Sequence, residues 1–163
     1  MSRAQIIAIV GGLVITIIGM TFGLYYALLA EHQALEGMGM ALTHAFSMAA
    51  QGRLDAALQV IQRYGEMRLH YIQNVHVHTH WSSLGLFVMA LGFTFGSLNY
   101  SERATRIMAL GLVIGAFVFP FGVLFDSMGH KLAGEILSVS GSILLLAALA
   151  SYAIGIIKRS SEA

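Results

Sequence analysis

The chain has 163 residues, of which 57% are hydrophobic and only 10% are charged, and its formal net charge is +1. A soluble domain carries roughly 25% charged residues, so this composition excludes an ordinary soluble protein. The sequence also contains no basic patch suited to nucleic acid. Because there is no cysteine, disulfides and thiolate metal sites are excluded as well. The composition indicates an all-α integral membrane protein that contacts the lipid bilayer.

Four apolar stretches are long enough to cross the hydrocarbon core of a bilayer, which takes about 20 helical residues. We predict spans at 5–30, 80–98, 107–125 and 133–157, none of which contains Lys or Arg. The first apolar run is too long for the core of a cleaved signal peptide, so we interpret it as an uncleaved anchor. The predicted fold is a single domain, 1–163, built as a membrane four-helix bundle.

Small residues recur at four-residue spacing in every predicted span, which lets helix backbones approach each other in lipid. The motifs are Gly19 and Gly23, Gly92 and Gly96, Gly111 and Gly115, and the series Gly134, Ser138 and Ser142. We expect these faces to pack the bundle. Any face left free predicts self-association or contact with other membrane subunits.

Between the first two spans, residues 31–79 predict a helical hairpin rather than a flexible loop. Apolar residues recur there at steps of three and four on both sides of a turn at Gln51 and Gly52, which is the helical period. No proline interrupts the second arm, so we predict one long helix from about Arg53 to Leu98 that runs into the second span.

The distribution of basic residues predicts the orientation, because cytoplasmic loops and tails carry an excess of Lys and Arg. Five of them lie near span ends on the side of both termini: Arg3, Arg103, Arg106, Lys158 and Arg159. We predict cytoplasmic termini in a bacterial inner membrane, with residues 31–79 extracytoplasmic. All seven histidines then lie on the outer side: His32, His44, His70, His76, His78, His80 and His130.

Histidines 76, 78 and 80 stand at the mouth of the second span, and His130 precedes the fourth span at the same predicted level. On a helix His76 and His80 share a face, whereas His78 points nearly opposite. Imidazole is the commonest metal ligand, and a haem between two helices takes one axial histidine from each. We predict a haem b or copper site at these four histidines. The alternative is a set of interfacial side chains that bond only backbone or headgroups.

Two acidic residues flank His130 and are candidates to orient its imidazole. Asp126 lies four residues before it and Glu135 five after it. Metal-bound imidazoles commonly donate their second N–H group to a carboxylate. We therefore predict that Asp126 or Glu135 accepts such a hydrogen bond.

A second candidate metal site lies in the first helix of the hairpin. Met40, His44 and Met48 follow one another at four-residue steps. Thioether sulfur and imidazole without thiolate suit Cu(I). The alternative is that methionine at helical spacing fills the packing between helices.

One segment resembles a known family. His78-Thr79-His80-Trp81-Ser82-Ser83-Leu84-Gly85 has the pattern H-x-H-x4-G at the start of a membrane helix. It is similar to the helix start in relatives of haem–copper oxidase subunit I and in small four-helix membrane proteins with the same pattern. The resemblance covers about one span and implies a haem b or copper ligand at His78 or His80. The chain has far fewer spans than the oxidase subunit, so the resemblance implies an electron carrier or partner subunit.

The resulting hypothesis is electron transfer between a quinol or a periplasmic carrier and a larger redox complex. Two alternatives remain: a cofactor-free accessory or assembly subunit, and a copper chaperone or sensor. The sequence contains no set of nucleophile, base and orienting residue, so it favours a non-catalytic redox or accessory role.

Overall fold

The computed structural model describes residues 1–161, which form α-helices and one short 3₁₀ helix and contain no β-strand. The elements are α1 (Arg3–Leu29), α2 (Glu31–Ala50), α3 (Leu54–Gly92), the 3₁₀ helix Phe95–Ser97, α4 (Glu102–Ser127) and α5 (Lys131–Ser161). The all-α prediction is confirmed.

Side chains fix where two of the helices begin. The Ser2 hydroxyl accepts a hydrogen bond from the Gln5 N–H group at 3.2 Å, and the Gln5 side chain accepts one from the Ser2 N–H group at 2.7 Å. Ser101 caps α4 by accepting from the Ala104 N–H group. Such caps satisfy N–H groups that have no partner within the helix, so both helices start next to a serine.

Three helices are long and apolar enough to cross a membrane, namely Arg3–Leu29, Glu102–Ser127 and Lys131–Arg159. They contain the predicted spans 5–30, 107–125 and 133–157 almost entirely, so the chain is of integral membrane type. The predicted span 80–98 lies in the second part of α3, which ends at Gly92 rather than at Leu98, and α3 is not among these three helices. The histidines and serines at 76–83 lower the apolar character of this part of α3, and the purely apolar stretch after them falls short of about 20 residues.

The first part of α3 packs against α2, and its second part packs against α1 and α4. We call α2 together with residues 54–71 of α3 the arm. The turn between its helices contains Gly52 at φ +73°, a left-handed conformation that favours glycine. The predicted turn and the single long helix are therefore confirmed, although α3 ends at Gly92 rather than at Leu98.

A hydrogen bond closes the arm at its base. The Tyr71 hydroxyl donates to the Glu31 carboxylate at 3.0 Å. This bond, together with desolvation, raises the pKa of Tyr71 above its ordinary value, because ionisation would remove the donated proton. The contact joins the first turn of α2 to the middle of α3.

Glycines let α1 and α3 approach backbone to backbone. A Cβ atom added at Gly12 would lie 2.5 Å from the Gly85 carbonyl oxygen, and one added at Gly19 would lie 2.6 Å from the Ser82 nitrogen. Farther along, Gly92 lies against Ile9. The two helices are therefore in close contact along most of α1.

The α4–α5 pair is built in the same way, with Gly115 against Gly141 and Leu145, and Gly122 against Gly134 and Ser138. The predicted small-residue faces thus pack within one chain. Helices α1, α3 and α4 contact one another, whereas α5 packs mainly on α4. The arrangement is a three-helix group with a fourth helix alongside rather than a closed square.

Candidate metal-binding site

The three clustered histidines of α3 lie on two faces of the helix. His78 faces α1, where its ring lies beside Gly23. His76 and His80 lie on the other face, and the His80 ring is 5.0 Å from the ring of Phe119 on α4. The predicted division of the histidines between opposite faces is confirmed.

His76 and His80 form a neighbouring imidazole pair. Their ring centroids are 5.9 Å apart and the ring planes are tilted by 53°. Two imidazoles that bind one ion through nitrogens about 2.0 Å from it place their centroids roughly 5 to 6.5 Å apart. The observed separation suits a shared ion, as it does for other histidine pairs four residues apart on a helix.

His130 lies away from this pair. Gln73 of α3 contacts Asp126 of α4, while His80 contacts Phe119, so these two levels are separated by two helical turns, about 10 Å. His130 follows Asp126 in the chain, and its ring contact is with Phe125, at 6.0 Å between centroids. The structure brings His76 and His80 together, and among the described residues His130 does not join them in a group of three possible metal ligands.

Asp126 and Glu135, the two carboxylates predicted to orient His130, have different surroundings. The Asp126 carboxylate accepts a hydrogen bond from the Gln73 side chain at 2.7 Å, whereas Glu135 is exposed on α5. Sequence reasoning missed Gln73, although its position seven residues before His80 places it near the same helix face. Asp126 thus serves to join α3 and α4.

Trp81 sets the rotation of α3 between its two neighbours. Its indole N–H group donates to the Phe117 carbonyl at 3.1 Å, in the turn before Pro120. Its ring packs edge-on against Phe22 at 5.7 Å and against Phe121 at 4.9 Å. Because this side chain is 2% exposed, it fixes which histidines face α1 and which face α4.

On the α1 side, a groove of about 530 Å³ opens next to His78. Its lining residues are Met20, Thr21, Gly23, Leu24, Ala27, His78 and Ser82. The His78 Nδ1 atom is buried and has no hydrogen-bond partner within the part of the chain that the structure describes. A buried polar atom without a partner is uncommon and costly, which marks this groove as a candidate ligand site.

The three side chains of the second predicted metal site, Met40, His44 and Met48, do not line one common cavity in the arm. Met40 and His44 line a cavity of about 390 Å³, and Met67 from α3 lines it as well. Met48 is half-buried and is not among the lining residues. The methionine that shares a cavity with Met40 and His44 is therefore Met67 of α3 and not the predicted Met48.

Among residues 1–161, no group of three or more histidine, aspartate or glutamate side chains could hold a metal ion. An ion at His76 and His80 would therefore take its remaining ligands from other groups, such as water or a ligand from a partner. This arrangement is compatible with an open metal site and not with a closed one.

Comparisons with protein-family models, with curated proteins and with solved structures find no match to this chain. The functional argument consequently rests on the chain's own residues and their geometry.

Proposed function

We propose that the chain is an integral membrane protein that binds copper or haem b at His76 and His80 and transfers electrons within a larger redox complex. The imidazole pair, with ring centroids 5.9 Å apart, carries this proposal. The site lies where the long helix α3 leaves the arm and meets α4, next to the ring of Phe119.

The packing of α3 supports a fourth membrane crossing. Its second part lies along α1 from Gly19 to Ile9, and Gly96 beyond it lies against the Gln5 side chain. This segment therefore reaches the depth at which α1 begins. With four crossings both termini are cytoplasmic and the arm is extracytoplasmic, as the distribution of basic residues favours.

The residues fit copper more directly than haem. The two imidazoles of one helix are on the same side of any bound group, so they can hold an ion between them. A haem would use one of them and an axial ligand from elsewhere, and the Phe119 ring already contacts His80. Either group, when bound, would supply reversible one-electron transfer. The chain's part is to hold the group and to limit access of water with Phe119.

The groove at His78 supports a quinol as the electron donor. It opens between α1 and α3, and its lining is mostly apolar, with the hydroxyls of Thr21 and Ser82 and the His78 imidazole as polar groups. A quinol headgroup offers hydroxyls that these groups can bond. His78 lies two residues from both His76 and His80, so donor and metal would be held by adjacent residues of one helix.

Metal content tests the proposal on protein purified in detergent. We expect copper by elemental analysis, or a b-type haem in the pyridine haemochrome spectrum, and loss of that content in His76→Gln/His80→Gln. The matched control is His32→Gln/His70→Gln, which also removes two imidazoles, both exposed. Wild-type protein without copper or haem would refute the proposal, and so would equal loss in both double variants.

Cysteine labelling tests the topology, because the natural chain contains no cysteine. We expect a membrane-impermeant maleimide to label Gln59→Cys in the arm of intact cells and not to label Arg103→Cys, which lies in the first turn of α4. Both positions are exposed. If α3 does not cross the membrane, the two positions lie on the same side and label alike.

An exposed apolar groove favours a second function, that of an accessory subunit whose arm docks a partner protein. The groove measures about 360 Å³ near the turn of the arm, and its residues include Phe46, Leu54 and Leu58. These three side chains are 64–72% exposed, and large exposed apolar patches mark interaction sites. In this case Phe46→Ser/Leu58→Ser would release copurifying subunits while leaving any metal content unchanged.

A further inference from the structure

We infer that the arm holds a second metal site, a Cu(I) site formed by Met40 and His44 of α2 and Met67 of α3. This site is separate from the His76 and His80 pair and does not depend on the function proposed for that pair. It also differs from the series Met40, His44 and Met48, because one of its ligands comes from the neighbouring helix.

The antiparallel packing of the arm brings these three side chains to one cavity. Met40 and His44 are one turn apart on α2, and both line the cavity of about 390 Å³ together with Met67. The Met67 sulfur lies 3.8 Å from the position that a Cβ atom would take at Gly37. The glycine thus leaves room for the thioether to lie against α2.

The donor set selects the metal. Two thioether sulfurs and one imidazole form a soft set that suits Cu(I), whereas Zn²⁺ and Mg²⁺ prefer thiolate, imidazole or oxygen ligands. The chain has nine methionines and no cysteine, so thioether is the only side-chain sulfur available. A three-coordinate Cu(I) site needs no further ligand from the protein.

Charge opposes cation binding in this cavity, and least so for a monovalent ion. Arg63 lines the same cavity, and its guanidinium group repels any cation. Because Coulomb repulsion scales with the charge of the ion, a monovalent cation is repelled half as strongly as a divalent one. The cavity therefore favours Cu(I) over Zn²⁺ or Cu²⁺.

Exposure allows the ion to enter from the solution. Met40 is 62% exposed, and His44 is exposed as well, whereas Met67 is half-buried between the helices. An ion can thus meet the α2 ligands first and the α3 ligand second. Such a site would hold Cu(I) on the arm, away from the membrane helices.

Competition with a chromogenic Cu(I) chelator, bicinchoninate, tests the inference under anaerobic, reducing conditions. The full chain in detergent carries His76→Gln/His80→Gln throughout, so the first site is removed and its failure cannot mask the second. We expect this protein to withdraw one Cu(I) per chain from the chelator. Met67→Leu and His44→Gln should each weaken binding at least about tenfold, and Met48→Leu should leave it unchanged.

Other results would overturn the inference. Absence of Cu(I) binding in the background protein rejects the site, and so does loss of binding in Met48→Leu with Met67→Leu unaffected. Displacement of Cu(I) by excess Zn²⁺ also rejects it. Because the His44 side chain is exposed, His44→Gln remains decisive even if Met67→Leu perturbs the packing of the arm. Arg63→Gln should tighten Cu(I) binding.

Discussion

Glycines in the membrane helices and in the arm have opposite surroundings. In the membrane helices, a Cβ atom at Gly12 would lie 2.6 Å from the Met89 nitrogen, and one at Gly115 would lie 2.8 Å from the Leu145 nitrogen. In the arm, Gly39 and Gly65 have nothing within 4 Å. The same residue type therefore supports backbone contact in one region and leaves open space in the other.

The two regions differ in their glycine surroundings because different forces hold their helices together. In lipid, helices gain little from burying apolar side chains and associate through close backbone approach. In the arm, apolar side chains such as Met38 and Ala45 are buried between the helices, and the imperfect fit leaves cavities. Close packing thus positions the imidazole pair, whereas loose packing provides the cavity at Met67.

The largest effect should come from Gly12→Ala. The added methyl group would meet backbone atoms of Gly85 and Met89 on α3, so the helices would have to separate. Overpacking of this kind costs about 3 kcal/mol in the free energy of unfolding. Unfolding in SDS, followed by the fluorescence of Trp81, the chain's single tryptophan, measures it. A loss below about 0.5 kcal/mol would mean that α1 and α3 are not in backbone contact.

A smaller effect is expected for Gln73→Leu, which removes the donor to the Asp126 carboxylate. Both side chains are half-buried, so the loss should be about 1 kcal/mol in the free energy of unfolding. The control is Gln62→Leu on the exposed surface of the arm, for which the same measurement should show no loss. Equal values for the two variants would show that the contact between α3 and α4 is not stabilising.

The smallest effect is expected for Gly65→Ala, with the opposite sign. Nothing lies within 4 Å of the added methyl group, and alanine loses less backbone entropy than glycine in a helix. We expect a gain of about 0.5–1 kcal/mol in the stability of the arm, measured by amide hydrogen exchange. Destabilisation comparable to that of Gly12→Ala would remove the contrast between the two regions.

Features that depend on one helix could be predicted from the sequence. The helical period and the absence of proline predicted α3 as one helix, and the pairing of His76 and His80 followed from their spacing. The end of this helix was predicted at Leu98, and this was wrong because α3 ends at Gly92. Where one helix passes from a polar to an apolar surrounding, the helical period of its sequence continues without a break, so the period does not show where the membrane part begins or ends.

Features that depend on the register between helices could not be predicted. Met48 continues the spacing of Met40 and His44 along α2, yet the third residue at their cavity is Met67 of α3. Which residue of a neighbouring helix lies opposite a given position depends on how far the two helices are offset along their axes, and the sequence does not show that offset. The same holds for the pairing of Gln73 with Asp126. His130 was expected beside His80 because both were predicted on the same side of the membrane. A shared side specifies the depth of a residue only to within a few helical turns.

The continuity of α3 has a mechanical consequence. Its 39 residues form one unbroken helix, a rod of about 58 Å, and the single proline of the chain lies elsewhere. Its second part is held against α1 by the glycine contacts and against α4 by the Trp81 hydrogen bond, so a force on the tip of the arm would bend the first part of the rod against this held part. Because His78 and His80 already contact α1 and α4, they lie at the start of the held part and would move least, while the tip of the arm would move most.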